Sequence, residues 1–429
     1  MSFFKKGRNV FLICCLLFAA GVHAAELKLE APENGAAAEL RLSAERKFLE
    51  NDVLRSETPE WMDSEMKRFA AYVQEYETEM AQAKQEGRPP KEMRDPAVRF
   101  MFFANNEWAK ALMEEYKEER KTFRPFRWRV SGNVSDVTVW FSETKDFAKT
   151  LREPVPQNED GVPETCILPT GLRLGTKYFW KVTARDESGK EIVSEIREFT
   201  TNSEGPRVLY SPLVMNFRDI GGGRNADGRK VRQGLVYRGA ALWLPEETRL
   251  VRGSLDAEYR YFFQEVLGLR TEFDLRGEGE AQRRFELGEI PLEKYGVLRS
   301  CYPLHGYFPE LDRNQEYLRE IFHRLASDPE VYPMYFHCAG GADRTGMLGV
   351  LLDGVIGRDD QTIRDHYEFT SFCGHARYRF SRLAAEMFRK FEAYAPGEPI
   401  RVQVVRYLES IGVPREEIEA VRSAFLEEE

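Results

Sequence analysis

The sequence predicts a multidomain chain: an α/β layer in its C-terminal half and an antiparallel β-sandwich before it. Three observations carry this. Beyond residue 207, strand-like apolar runs alternate with helical stretches, as where Gln315 to Ala326 feeds Val331 to Phe336. From Phe126 to Thr200 the apolar period is two, with turn residues at short intervals. Between an early strand-like stretch, Leu27 to Glu30, and Phe126 the pattern is helical, so the sandwich is expected to carry a helical insertion after its first strand.

Lys5, Lys6 and Arg8 precede an apolar core, Val10 to Ala20, and Val22-His23-Ala24 fits a small-x-small cleavage site. Residues 1–24 are therefore expected to be a cleaved export signal, with the mature chain periplasmic or secreted. The core is shorter than the ~18 residues that suggest a span, so no stable membrane span is expected after cleavage.

Leu27 to Glu30 alternates and stops at Pro32 and an Asn34-Gly35 turn. Met62, Met66, Phe69, Val73, Tyr76 and Met80 then form an amphipathic stripe, broken by Gly87, Pro89 and Pro90. Asp95-Pro96 reads as the cap and first turn of a helix reaching about Arg120. Such stripes pack helices onto a neighbour. Strands are expected at Trp128 to Val130, Val137 to Phe141, Thr165 to Leu168, Lys177 to Ala184 and Glu195 to Thr200. The expected domains are a sandwich over 26–204, with its insertion at about 41–122, and an α/β domain over 207–429. In the latter, Asp256 to Leu267 reads as helix, Arg270 to Arg276 as strand, and Glu398 to Ile411 and Arg415 to Leu426 as closing helices.

At 429 residues, 42% hydrophobic and 31% charged, the chain can fill two or three globular domains. A net charge of −9 offers no electrostatic case for nucleic acid or anionic membrane as a partner. Four cysteines follow residue 24, too few for a disulfide scaffold. Of these, Cys301 and Cys373 read as small buried apolar side chains, with a resolving role toward Cys338 as the alternative. The six histidines show no metal-ligand spacing, and no metal or cofactor is expected.

The chemistry concentrates in Tyr335 to Gly346. An apolar run ends at Phe336, Gly340 and Gly341 give a turn, and Met347 to Leu352 begins a buried helix. Strand, glycine turn and helix start gather amide N–H groups around an anion. Amides, helix end and guanidinium all favour the Cys338 thiolate. Arg344 can hold two oxyanion oxygens. Thr345 can donate to the sulfur, and His337 can orient the loop.

This stretch resembles the signature loop of the cysteine-dependent (Cys-x5-Arg) phosphatases, in particular the bacterial tyrosine-phosphatase-like family, whose loop reads His-Cys-x-x-Gly-Lys-Asp-Arg-Thr-Gly. The chain departs from it at Ala342, which stands at the lysine position and removes a loop charge. Asn216-Phe217-Arg218-Asp219-Ile220-Gly221-Gly222 resembles the family's second motif. Asp274-Leu275-Arg276 and Asp365 to Ser371 resemble two further segments. The resemblance implies an α/β cysteine-phosphatase fold, a mostly parallel sheet flanked by helices. It also implies hydrolysis of phosphotyrosine, with dual specificity as an extension, through a cysteinyl-phosphate. The implied catalytic residues are Cys338, Arg344 and Thr345, with Asp343 or Asp274 as general acid. The implied substrate contacts are His337, Ala339, Gly340, Gly341, Ala342, Arg218 and Asp219; Arg377 could reach a second acidic group on a substrate or lie on a solvated helix face. Arg218 and Asp219 could equally pin a glycine turn. The alternatives are an inositol-phosphate or other small phosphomonoester substrate, or a module that holds phosphorylated ligands without turnover. Leu174 to Tyr178 resembles a tyrosine corner. With the strands around it, it is similar to a fibronectin type III domain, which allows protein or glycan contact through the sandwich.

Overall fold

Alternating residues make the first half a pair of sheets. The computed structural model describes residues 25–50, 60–91, 93, 107–158, 162–211, 214–242, 257, 259–286, 289–305, 308–372, 388 and 390–428. One sheet runs β1 (Glu26–Ala31), β3 (Phe126–Ser131), β6 (Cys166–Ile167). The other runs β2 (Ala36–Ala38), β9 (Arg197–Thr201), β7 (Lys177–Asp186), β4 (Val134–Ser142), β5 (Leu151–Pro154), with β8 (Glu191–Val193) pairing β7. The inward positions of both sheets share one apolar core. Phe126 lies 4.9–5.1 Å, centroid to centroid, from Phe141, Trp180 and Phe199, all edge-on. Tyr178 Oη accepts from the Arg173 amide at 3.1 Å, fixing the turn into β7.

Helices α1 (Ser43–Leu49), α2 (Glu60–Glu86) and α3 (Glu107–Thr122) lie between β2 and β3 in the chain. Leu42, Phe48, Leu112 and Tyr116 pack with Phe369 and Phe372, so α1 and α3 bury their apolar stripes on the C-terminal half. The proposed export signal and the Asp95-Pro96 cap fall outside the described residues, as do Cys373 and Arg377.

The C-terminal half holds a six-stranded mixed sheet, in the order β10 (Arg207–Val208), β11 (Arg218–Asp219), β12 (Val236–Ala240), β15 (Met334–Cys338), β13 (Thr271–Asp274), β14 (Leu298–Cys301). The last four are mutually parallel, and the first two are antiparallel additions at one edge. Buried on both faces, β15 reads as a continuous apolar run. Helices α4 (Glu278–Glu286), α5 (Gln315–Ser327), α6 (Arg344–Ile356), α7 (Asp360–Glu368), α8 (Ile400–Ser410) and α9 (Arg415–Phe425) complete the layer. In α6, every residue after Arg344 is buried, and the helix ends at Gly357, whose φ of +87° favours glycine.

One element differs from expectation. The stretch expected as helix over Asp256 to Leu267 is α-helical at its described residues before Tyr261 and is wound as a π-helix over Tyr261–Val266. The Leu267 amide donates to the Phe262 carbonyl at 3.0 Å, five residues back. The wider turn lets Phe262 and Phe263 both enter the core, where Phe262 meets Phe217 at 6.0 Å. Among the described residues no helix is long and apolar enough to cross a membrane.

Candidate active site

The central strand β15 delivers Cys338 to the C-terminal edge of the parallel strands, where sites of α/β sheets gather. The chain then turns through Ala339 to Asp343 and enters α6 at Arg344. Two close approaches fix that turn. Gly341 has φ +65°, and a β-carbon there would fall 2.4 Å from the Gly239 backbone of β12. Its carbonyl accepts from Asn216 Nδ2 at 2.7 Å and from Arg238 Nη2 at 3.3 Å. Among the described residues, the amides of Gly340, Gly341 and Ala342 donate to no protein acceptor, which leaves them for a bound oxyanion.

Cys338 is 4% exposed. Burial pushes its thiol pKa up, but the Arg344 charge and the Thr345 hydroxyl and amide outweigh burial, and the net shift is downward. The Arg344 guanidinium reaches the Cys338 sulfur. Thr345 Oγ1 is buried with no nitrogen or oxygen partner. Elsewhere, burial raises the Cys166 thiol, and burial with Glu278 and Asp274 nearby pushes Cys301 up to about 11. Cys301 therefore stays a thiol at neutral pH and donates to the Arg276 carbonyl at 2.9 Å. Of the three described cysteines, Cys338 alone is activated.

His337 is buried beneath the loop, with Nδ1 3.1 Å from its neighbour's carbonyl at Cys338 and Nε2 2.5 Å from Glu272 Oε1. Burial lowers its pKa, yet the Asp274 and Glu272 charges raise it further, so the net shift favours imidazolium under the cradle. Its contacts are with the protein interior, so the expected substrate contact becomes a supporting one. Glu272, Asp274 and His337 place donor atoms within 4.8 Å of one another, the one metal-like grouping among the described residues. Within it Asp274 is held by protein partners, since Arg276 donates to both its oxygens at 2.8 Å and Arg299 adds contacts at 3.1 and 3.2 Å, while Glu272 Oε2 is buried without a partner.

Those contacts bear on the two candidate acids. Asp274 is fully buried. Burial raises its pKa, but the His337 charge and Arg276 outweigh that and hold it well below the usual carboxylate range. A carboxylate held that way carries no proton at neutral pH and cannot swing across the loop. Asp343 is half-buried, lies in the loop itself, and its charge is felt at the Cys338 sulfur.

Arg218 and Asp219 do not face the loop as substrate contacts; both are buried and bound to protein. Arg218 donates to the His366 carbonyl at 2.9 Å and to Thr370 Oγ1 at 3.0 Å. Asp219 accepts from Arg207 at 2.7 Å and from the Gly221 and Gly234 amides at 2.8 and 2.7 Å, pinning the glycine turn. Asn216, at φ +57°, is the member of that motif that reaches the loop.

Sequence reading missed Glu280. It accepts from Arg344 Nη1 and Nη2 at 2.8 and 3.0 Å, aligning the guanidinium, and Arg344 in turn lowers its pKa. Nothing in the spacing of Glu280 marks it, since its partner lies 64 residues on.

The assembled site can bind a phosphoryl dianion on amides and guanidinium, with a buried thiolate at its base. The model of the tyrosine phosphatase family matches residues 211–427, just over half of the chain. A candidate tyrosine-protein phosphatase of Cupriavidus necator is 28% identical over 188 residues, covering 38% of this chain and 63% of that protein. A tyrosine-protein phosphatase of Nostoc commune is 25% identical over 202 residues, covering 37% and 66%. The chain thus spans under two thirds of the length of either relative. The core catalytic domain of the PP-IP phosphatase SIW14 of S. cerevisiae, solved with citrate, is 18% identical with a TM-score of 0.26. That match covers 37% of this chain and 83% of that one, and a score so low carries no argument.

Proposed function

We propose, from the premise that this chain belongs to the tyrosine phosphatase family, that it is an exported, cysteine-dependent phosphatase acting on phosphotyrosine, with dual specificity as an extension. The observation that carries the reading is the downward-shifted Cys338 thiol facing Arg344 across an amide-lined turn. The Cys338 thiolate attacks phosphorus in line. An S–P bond forms as the P–O bond to the leaving oxygen breaks, and Asp343 passes its proton to that oxygen. Water then attacks phosphorus, Asp343 recovers a proton from it, the S–P bond breaks, and phosphate and thiolate are released. Arg344 and the amides of Gly340 to Ala342 hold the equatorial oxygens throughout. Thr345 steadies the departing thiolate.

Ala342 favours protein substrates over highly charged phosphoinositides, because it leaves the cradle one cation poorer. The sandwich, with its Arg173–Tyr178 corner bond, is read as a fibronectin type III-like positioning module that can offer protein or glycan contact. Its inserted helices buttress the segment around Thr370.

Phosphate release by wild type and Cys338→Ser, across phosphopeptides and phosphoinositides with a chelator present, tests this. We expect release from phosphotyrosine peptides, none from the variant, and retained folding. Turnover by Cys338→Ser would reject the nucleophile. Preference for phosphoinositides would transfer the reading to that substrate class, and binding without release would make the chain a ligand-holding module. Asp343→Asn should slow poor leaving groups far more than good ones.

A further inference from the structure

We propose that the cleft between the sandwich and the far end of the α/β layer is a second anion site, built for a small oxyanion carrying several negative charges. The cavity has a volume of about 920 Å³. Arg173 lines it from the sandwich. Arg224, Lys230 and Arg232 line it from the segment leading into β12, and Arg358 lies at its floor. Against these five cations the lining holds two carboxylates, Glu204 and Glu427, in a chain whose net charge is −9. Glu204 is shared with Arg41 outside the cleft, at 3.7 Å.

Part of this charge is paired outside the cleft, Arg173 with Glu143 at 3.8 Å and Arg358 with Asp353 at 3.7 Å, and Arg224, Lys230 and Arg232 carry the remainder. Lys230 and Arg232 form no ion pair among the described residues. Arg224 Nη1 donates to the Gly228 carbonyl and leaves its remaining N–H groups toward solvent. The cations repel one another, and an oxyanion would relieve that repulsion while giving the guanidinium groups bidentate partners. The floor is rigid. Buried Arg358 donates to the carbonyls of Arg224, Ile220 and Gly222 at 2.9, 3.0 and 2.6 Å, tying the cationic loop to the end of α6.

Two features define the ligand. Leu174 and Leu235 supply the aliphatic side chains of the lining, and the rest is polar or glycine, so a hydrophilic ligand fits where a lipid chain or apolar peptide does not. The cleft is also remote from the cradle. α6 begins at the cradle with Arg344, and its thirteen residues at ~1.5 Å each put the Arg358 floor of the cleft roughly 20 Å along the helix from the cradle. One small ligand cannot serve both.

Inorganic pyrophosphate is the probe, titrated calorimetrically into the full-length chain carrying Arg344→Ala, so that the cradle contributes little heat. One site is expected, with affinity falling as salt rises. Lys230→Glu with Arg232→Glu should weaken it at least about tenfold, and Arg173→Gln, on the opposite wall, by several-fold. Melting curves identify any variant that fails to fold. For these, a two-site titration of the wild type, with and without Arg173→Gln, reads the same site. The absence of a site, or affinity unchanged by substitution on either wall, overturns the proposal. The readout is binding, so it stands or falls apart from turnover at Cys338.

Discussion

Arg344 and Arg276 each grip a glutamate through two N–H···O contacts, yet they do different work. Arg344 holds Glu280 at 2.8 and 3.0 Å with 17% of its side chain exposed and 36% of its partner's. Arg276 holds Glu289 at 2.7 and 2.8 Å, and Asp274 besides, with none of its side chain exposed. Water competes for a pair that is open to solvent, and an exposed pair contributes only about 0–1 kcal/mol. A sealed pair cannot exchange, and removing one partner strands a buried charge. The same chemistry leaves Arg344 partly open to solvent and makes Arg276 a framework bolt in the core. Burial, not residue type, decides which.

Four substitutions test that contrast. Arg344→Ala should lower phosphate release roughly 10³-fold while shifting the thermal midpoint little. Steady-state rates within tenfold of wild type would break the comparison at its functional end. Arg276→Met removes the cation that Asp274 and Glu289 share, leaving only the contacts from Arg299 and Arg284, and should cost about 3–5 kcal/mol in denaturant unfolding. A wild-type unfolding curve would break it at its structural end.

Glu45 supplies the control, a buried carboxyl without a guanidinium clamp. Tyr210 donates to its Oε2 at 2.5 Å, while Oε1 has no partner. Burial raises its pKa from 4.5 to about 7. The folded value lies above the unfolded one, so the protonated form favours the fold. This contribution is full below pH 4.5 and is lost as pH rises through about 7. At 1.36 kcal/mol per pKa unit it amounts to about 3 kcal/mol, and Glu45→Gln should flatten that fall in stability-versus-pH curves. The smallest effect belongs to Glu280→Ala. Releasing Arg344 from its orienting partner should reduce kcat/KM about tenfold and stability by less than about 1 kcal/mol. An unfolding cost comparable to that of Arg276→Met would show the two pairs to be alike.

Strands β1, β3, β4, β6, β7, β9, β13 and β15, most of the C-terminal helices and the strand–turn–helix of the cradle were legible because each is a local pattern, whereas the short β2, β5, β8, β10, β11 and β14 were not read. Period-two runs became β3, β4, β7 and β9, and the run before Cys338 became β15. The helix expected at Asp256 to Leu267 is wound as a π-helix over Tyr261–Val266, which lets Phe262 and Phe263 both enter the core. Asp274, Arg218 and Asp219 looked available for substrate because a sequence does not display burial. Each instead meets partners brought in by neighbouring elements, such as the Arg276 and Arg299 that hold Asp274.

By itself, the sequence determined the cradle: sulfur, amide turn, guanidinium and helix start fall within Cys338 to Thr345, so one stretch of chain positions them all. Only the tertiary structure decided what surrounds it. Asn216 reaches Gly341 across 125 residues and Arg344 reaches Glu280 across 64, and the basic cleft is assembled from both halves of the chain. Such partners meet only when strands pair and helices dock, and no local pattern of residues records which side chains that packing will seal and which it will leave in water.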